Sequence, residues 1–239
     1  MIKRVRFATR RRDLAPDAFA SAWPQAFEAL CDAPPDARPS RVTVCATLPE
    51  LTDGDPKHDG LGFEWFGDAA HLARFESWLG TPDGRAASAA IDALLDEASS
   101  PLLVADERVL RGEEWLVQRW HDGGPKLKHL AIALRASDLS AAEFSERWRS
   151  HAGQVGRPGT AGAAVIPEAA RGLAYVQDHP RPRAEGEWAY DALNEVWFDD
   201  IAGLQTRIDW FRENPPASAD DDLFRRSWFL AAREDVVLP

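Results

Sequence analysis

Alternation of apolar and charged positions is clearest at the start of the chain. In residues 2–8, Val5 and Phe7 fall on one side and Arg4 and Arg6 on the other. A period of two predicts a strand with one face in an apolar core. The period then lengthens: Leu14, Ala18, Phe19, Ala22 and Trp23 follow helical spacing. Asp13 is the expected N-cap of that helix, and Pro16 suits its first turn. Pro24 should kink or end it. Residues 41–48, rich in β-branched side chains, predict a second strand, and residues 61–66 a third. A helix over 69–79 follows behind Asp68 as N-cap. Residues 80–84 interrupt it, and 85–98 predict another helix. Residues 102–110 complete the set as a fourth strand.

The same order of periods recurs. Residues 127–134 predict a strand, Asp138 an N-cap and 141–151 a helix, followed by a glycine-rich loop over 153–162. Strands are expected over 173–177 and 193–198. A helix over 201–211 follows behind Asp200, with a break at 214–217, and 228–232 lead into a last strand. Individual residues repeat too. Lys3, Arg10, Asp13, Leu14, Phe19 and Trp23 answer Lys128, Arg135, Asp138, Leu139, Phe144 and Trp148 at one offset (128 − 3 = 125). Trp65, Asp68, Leu72 and Trp78 answer Trp197, Asp200, Leu204 and Trp210 (197 − 65 = 132). Glu107 and Val109 answer Glu234 and Val236 (234 − 107 = 127). A period of about half the chain argues for a duplicated domain.

Each half therefore predicts a βαββαβ, ferredoxin-like unit of the α+β class. Such a sheet has helices on one face, and its other face needs a partner. The expected architecture is two units, residues 1–111 and 127–239, packed sheet to sheet and closing into a barrel-like sandwich, with residues 112–126 as linker and a small-ligand cavity between the sheets.

Charge and composition narrow the function. Twenty-eight basic residues against 39 acidic give a net charge of −11, which disfavours nucleic acid and anionic membranes as partners. The basic cluster Lys3, Arg4, Arg6, Arg10, Arg11 and Arg12 reads as a polar strand face and a solvated turn. Cys31 and Cys45 form neither a disulfide framework nor a four-thiolate site. With no apolar signal region at the N-terminus and no apolar run near the ~18 residues of a membrane span, a cytoplasmic protein is expected. Ten Trp and eleven Phe stand beside two Tyr and one Met. Flat rings are expected to pack the core or to line a cavity.

Several segments of the second half together resemble the EthD family of dimeric α/β-barrel proteins: Asp138 to Phe144, Trp148-Arg-Ser-His151-Ala, Tyr175-Val-Gln-Asp-His179-Pro, Tyr190-Asp191, and Glu195-Val-Trp197-Phe198-Asp199. The likeness spans about residues 127–238. The first half has lost the polar pieces. Ala26 stands where His151 does (151 − 125 = 26), Val-Cys-Ala-Thr over 44–47 replaces residues 175–178, and His58-Asp59 replaces Tyr190-Asp191. In the first half, Ala105-Asp-Glu107 resembles the family's last-strand motif. The resemblance implies small, cofactor-free proteins that handle hydrophobic or aromatic molecules. Some relatives are associated with dehydration or decarboxylation of aromatic polyketides, others with ether degradation. The duplication implies a monomer that is its own pseudo-dimer, with further association of two chains left open.

Candidate chemistry centres on the second half. His151, at a helix C-terminus, suits proton transfer near neutral pH, or simply caps carbonyls. His179, at a strand end, and Asp191, able to orient a histidine, complete the catalytic candidates. If Leu130 and Ile132 face the helices, His129 faces the cavity, and Arg4 is its equivalent in the first half. An arginine there could hold a carboxylate or phenolate. Trp148, Tyr175, Tyr190, Glu195 and Trp197 are the other candidates for substrate binding. No metal site is expected, since no His/Cys spacing suits zinc. No cofactor is expected either: the glycines of 153–159 follow a helix and not a strand, and neither a haem motif nor a nucleophile elbow occurs. Two functions fit, an acid–base catalyst of dehydration, cyclisation or decarboxylation, or a non-catalytic binding protein of a degradation pathway.

Overall fold

In the computed structural model, which describes residues 1–52, 54, 56–151, 153–155, 163–215 and 223–239, the alternating segments close into one antiparallel eight-stranded barrel. The first elements are β1 (Ile2–Ala8), α1 (Pro16–Glu28), β2 (Arg41–Thr47), β3 (Gly60–Phe66), α2 (Ala69–Leu79), α3 (Pro82–Asp92) and β4 (Leu102–Arg111). Next come α4 (Glu113–Asp122), β5 (Lys126–Arg135) and α5 (Ala141–Arg149). A two-residue ladder joins β6 (Gln154–Val155) to β7 (Ala164–Val165). The chain ends with β8 (Ala174–Pro180), β9 (Ala192–Phe198), α6 (Ile201–Glu213) and β10 (Phe224–Leu238).

Strand order around the barrel is β1-β3-β2-β10-β5-β9-β8-β4. Residues 2–111 thus supply the consecutive strands β4-β1-β3-β2, and residues 126–238 supply β10-β5-β9-β8. The two sets meet edge to edge, β2 on β10 and β4 on β8, which closes the barrel that the two facing sheets were expected to form. Edge pairing satisfies rows of backbone donors and acceptors that a sandwich leaves open, and closure abolishes the edges.

The pleat sends one set of side chains inward. Val5, Phe7, Leu61, Phe63, Leu103, Leu130, Ile132, Leu193 and Leu230 form one buried cluster there. Leu130 and Ile132 therefore face the barrel interior, and His129 faces the helices, the reverse of the assumed parity. The outer face of the first set carries a second core, in which Phe19, Trp23 and Phe27 of α1 meet Phe75 of α2 and Ile91 of α3. Residues 112–126, expected as a linker, carry α4, whose Leu116 and Trp120 join the interior cluster.

Asp68 and Asp200 cap α2 and α6, accepting from the backbone N–H groups of His71 and Gly203. Asp13 and Asp138 do not cap. Asp13 pairs with Arg11 at 2.6 Å, and Ser140 caps α5 in a reciprocal box with Glu143, which satisfies two end groups at once. Pro24 lies inside α1 without ending it. Thr81 caps α3, which therefore starts at Pro82 and stops at Asp92, earlier at both ends than expected. Residues 156–162 of the glycine-rich loop and 216–217 of the expected break lie outside the described residues. Among the described residues, no helix is long and apolar enough to cross a membrane.

Candidate functional site

The barrel interior, where the sequence places the ligand cavity, is filled. At its centre Lys3 Nζ lies 2.8 Å from Glu107, 2.8 Å from Asp178 and 2.5 Å from Glu195. Lys128 bridges Glu195 and Glu234, and Arg119 of α4 reaches Glu234 at 3.0 Å. The indoles of Trp65 and Trp197 donate to Glu107 (2.7 Å) and Glu234 (3.1 Å). Burial alone would lower the Lys3 pKa, but Asp178, Glu107 and Glu195 outweigh it and hold the ammonium charged. Burial would likewise raise Glu195, yet Lys128 and Lys3 bring it down to about 2. Asp178 goes the other way: burial, despite Lys3, raises it well above the usual carboxylate range. Glu107, Asp178 and Glu195 bring their oxygens within 4.8 Å of one another. Lys3 Nζ stands among them as the resident cation, so the spacing is that of an ion-pair network closed by the protein itself.

A cavity of about 120 Å³ lies instead on the outer face of the second strand set, lined by Ala131 of β5, Tyr175 of β8, Asn194 of β9, Phe229 of β10 and Phe211 of α6, with His151 after α5. The size suits one aromatic ring, since a cavity of roughly 150 Å³ holds benzene. Trp148 carbonyl accepts from the His151 backbone N–H at 3.0 Å, and the imidazole meets the Phe224 ring edge-on at 5.7 Å. Tyr175 donates to Asn194 Oδ1 at 3.2 Å, and burial keeps its phenol protonated. Arg111, Arg171 and Arg207 also line the space.

Arg207 is positioned from behind. Its Nε donates to His129 Nδ1 at 3.1 Å and its Nη1 to the Ala170 carbonyl at 2.8 Å. An arginine only donates, so Nδ1 of His129 is the acceptor and its ring proton sits on Nε2. Burial and Arg207 push the His129 pKa well below its ordinary value, keeping the ring neutral. Rings of Phe211 and Phe229 stack on His129 at 5.5 and 5.2 Å.

The corresponding place in the first set is full. Gly62, the counterpart of Asn194 (194 − 62 = 132), lies so close under Phe27 that a β-carbon there would be 2.2 Å from the ring. Ala26, the counterpart of His151, is buried against the same core. Arg4, the counterpart of His129, pairs with Glu64 at 2.5 Å and lies over Phe75.

No family model and no curated protein matches the chain. Among solved structures it is similar to a candidate monooxygenase from Lactobacillus acidophilus NCFM, at TM-score 0.48 and 8% identity over 97% of this chain and 93% of that one. A second candidate monooxygenase, from Fusobacterium nucleatum, gives 0.47 and 12% over 99% and 92%. A chlorite dismutase mutant from Candidatus Nitrospira defluvii gives 0.41 and 10% over 97% and 90%. At such identities the likeness concerns chain path and assigns no chemistry.

Of the candidates from the sequence, His151 and Tyr175 line the cavity and His129 backs it. The others lie elsewhere. His179 sits under Trp148, ring centroids 4.4 Å apart, with Ser145 at 3.1 Å and Gln177 at 3.1 Å. Burial lowers its pKa to about 4, helped by Arg149 and Arg108. Asp191 is held by Arg135 in the turn before β9. Tyr190 packs with the interior cluster, its hydroxyl 2.6 Å from His58 Nε2, while Glu195 and Trp197 belong to the barrel interior. Trp148, a residue of α5, is wholly buried, and Arg4 of β1 is paired with Glu64 in the first strand set. Arg207 and Asn194 were missed. Arg207 had a signal: with Leu204, Ile208 and Phe211 it completes an i, i+3, i+4, i+7 stripe, and a charge on an apolar stripe asks for a partner.

Proposed function

We propose that this chain is a tandem EthD-like protein, two ferredoxin-like units acting as their own pseudo-dimer. In this reading it binds a small single-ring oxygenated molecule in the cavity over β5, β8 and β9. His151 exchanges a proton with the bound molecule in a cofactor-independent dehydration, decarboxylation or enolisation. One observation carries the reading: a cavity of about 120 Å³ bordered by a histidine, a tyrosine and aromatic rings, at the place where the first strand set packs Phe27 onto Gly62. A core that only needed filling would be filled in both places.

His151 has the reach to act because it follows the last turn of α5 and is only partly buried. Tyr175 supplies a neutral hydroxyl for a substrate oxygen. A binding-only reading is favoured by one fact, that His179 and Asp191 are engaged away from the cavity. His151→Gln separates the two. Catalysis predicts a loss of roughly 100-fold or more in turnover of single-ring hydroxylated or enolisable compounds, with the melting temperature within ~2 °C of wild type. Unchanged turnover in a folded variant would remove His151 from the chemistry. Unchanged ligand affinity without turnover in either protein would leave a binding protein.

A further inference from the structure

We propose that the ligand of this cavity carries a carboxylate, held by the terminal amino groups of Arg207, so that the site selects an aryl carboxylate over a neutral ring of the same shape. The inference rests on the reading that the cavity binds a small ring, and it adds the ligand's charge.

Among the described residues three arginines are buried, Arg4, Arg119 and Arg207, at 6%, 2% and 7% exposure. Arg4 faces Glu64 at 2.5 Å, and Arg119 faces Glu234 at 3.0 Å. Arg207 faces no carboxylate among the described residues. Its partners are a neutral imidazole and a carbonyl. These use two of the five guanidinium donors and leave three (5 − 2 = 3), on the terminal edge that a carboxylate fits. A buried cation without a counter-charge is unfavourable, and proteins retain one where a ligand completes it.

The comparison between the two strand sets sharpens this. In the first set Glu64 pairs with Arg4, whose own counterpart is the neutral His129. The counterpart of Glu64 in the second set is Val196 (196 − 64 = 132), which lines the cavity. The acid is absent from the protein at the point where the space opens. Among the described residues nothing else on the wall replaces it: they include Arg111, Arg171 and Arg207 and no Asp or Glu. The acid that acts on Arg111 is Glu168, which is exposed and pairs with Arg171 at 3.3 Å. Tyr175 is held as a neutral phenol by burial, and Arg111 has both terminal nitrogens engaged, on the carbonyls of Gly172 and Arg171, whereas Arg207 engages Nε and Nη1 and leaves Nη2 to a ligand. A one-ring space with an unmatched cation at its wall fits benzoate-like molecules.

The test is calorimetric titration of the full chain with benzoate and with benzamide, its neutral isostere, for wild type, Arg207→Gln and Ala131→Phe. Wild type is expected to bind benzoate at least ~10-fold more tightly than benzamide, as a charge-assisted pair should, and more weakly as salt rises. Arg207→Gln should abolish that preference, and Ala131→Phe should remove both compounds. Equal affinities in wild type, both lost in Ala131→Phe, would overturn the carboxylate and leave the cavity reading standing. No binding of either compound would overturn both. A preference that survives in Arg207→Gln would overturn Arg207 as the anchor, and tighter binding of 4-nitrophenolate than of benzoate would replace carboxylate by phenolate. If Arg207→Gln fails to fold, the wild-type ratio and its salt dependence decide the question.

Discussion

Single substitutions between the two strand sets account for the difference between a filled and an open place. Glu64 neutralises Arg4, whose counterpart is the neutral His129, while Val196 stands at the Glu64 position and Arg207, counterpart of Phe75 (207 − 132 = 75), lines the cavity. Removing one partner of a buried pair strands the other charge. Glu64→Val is therefore expected to destabilise the chain by ~3–5 kcal/mol in urea denaturation. A change below ~1 kcal/mol would mean that water or another group reaches Arg4, and the contrast with Arg207 would lose its force. The sequence carried part of this. His151 against Ala26 was readable from the offset alone, whereas Glu64 against Val196 acquires meaning only when Arg4 is known to lie beside it.

At the scale of elements, the two strand sets are covered differently. On the first, α1 and α3 press Phe27, Ala87 and Ile91 onto the sheet. On the second, α5 presents Phe144 and Trp148 toward one end, and α6 brings Leu204 and Ile208 to the other. The cavity lies between these two small clusters, bordered by Gly153 and Ile166. Its floor is made of short side chains, Ala131, Ala133 and Ala192. Ala131→Phe should fill it at little cost, with the melting temperature equal to or above wild type and ring-compound binding lost in the titration. A drop of more than ~5 °C would show that the space is too tight for a ring. The helices themselves were legible from periodicity and caps. The capping of α5 by Ser140 was not, because Asp138 and Ser140 are both good caps and the choice falls to the residue whose hydroxyl reaches the Glu143 N–H.

For the whole molecule, the barrel forces charges inward from eight strands. Lys3, Lys128, Glu107, Asp178, Glu195 and Glu234 meet although the first and last are more than two hundred residues apart in sequence. Acid stability follows from three buried histidines. Burial lowers His58 to about 3 and His179 to about 4, and holds His129 well below its ordinary value. The unfolded chain takes up protons near pH 6.5 that the folded one refuses, so stability falls as pH falls through this window. The slope is roughly 1.4 kcal/mol per pH unit for each such histidine. Asp178, raised in the fold, has the opposite sign: the native state keeps a proton that the unfolded chain releases, so its contribution fades as pH rises above the usual carboxylate range. Urea denaturation at pH 7, 6 and 5 should show the decline, and His179→Gln should make it shallower. A flat profile would contradict neutral burial of these rings.

The sequence by itself determined the elements, their repetition and the half of the chain that departs from the repeat, because periods of two and 3.6 and paired offsets are local or one-dimensional properties. It also marked His151 and Tyr175, which stand out as polar residues their counterparts lack. Tertiary structure alone decided which face of each strand is inside. Parity is relative along one strand, and closure through β2–β10 and β4–β8 sets it for all eight. That one decision sent Lys3, Glu195 and Trp197 into a closed ionic core and placed the open space outside it. Closure likewise separated His179 and Asp191 from His151 and left Arg207 as the buried cation facing the cavity.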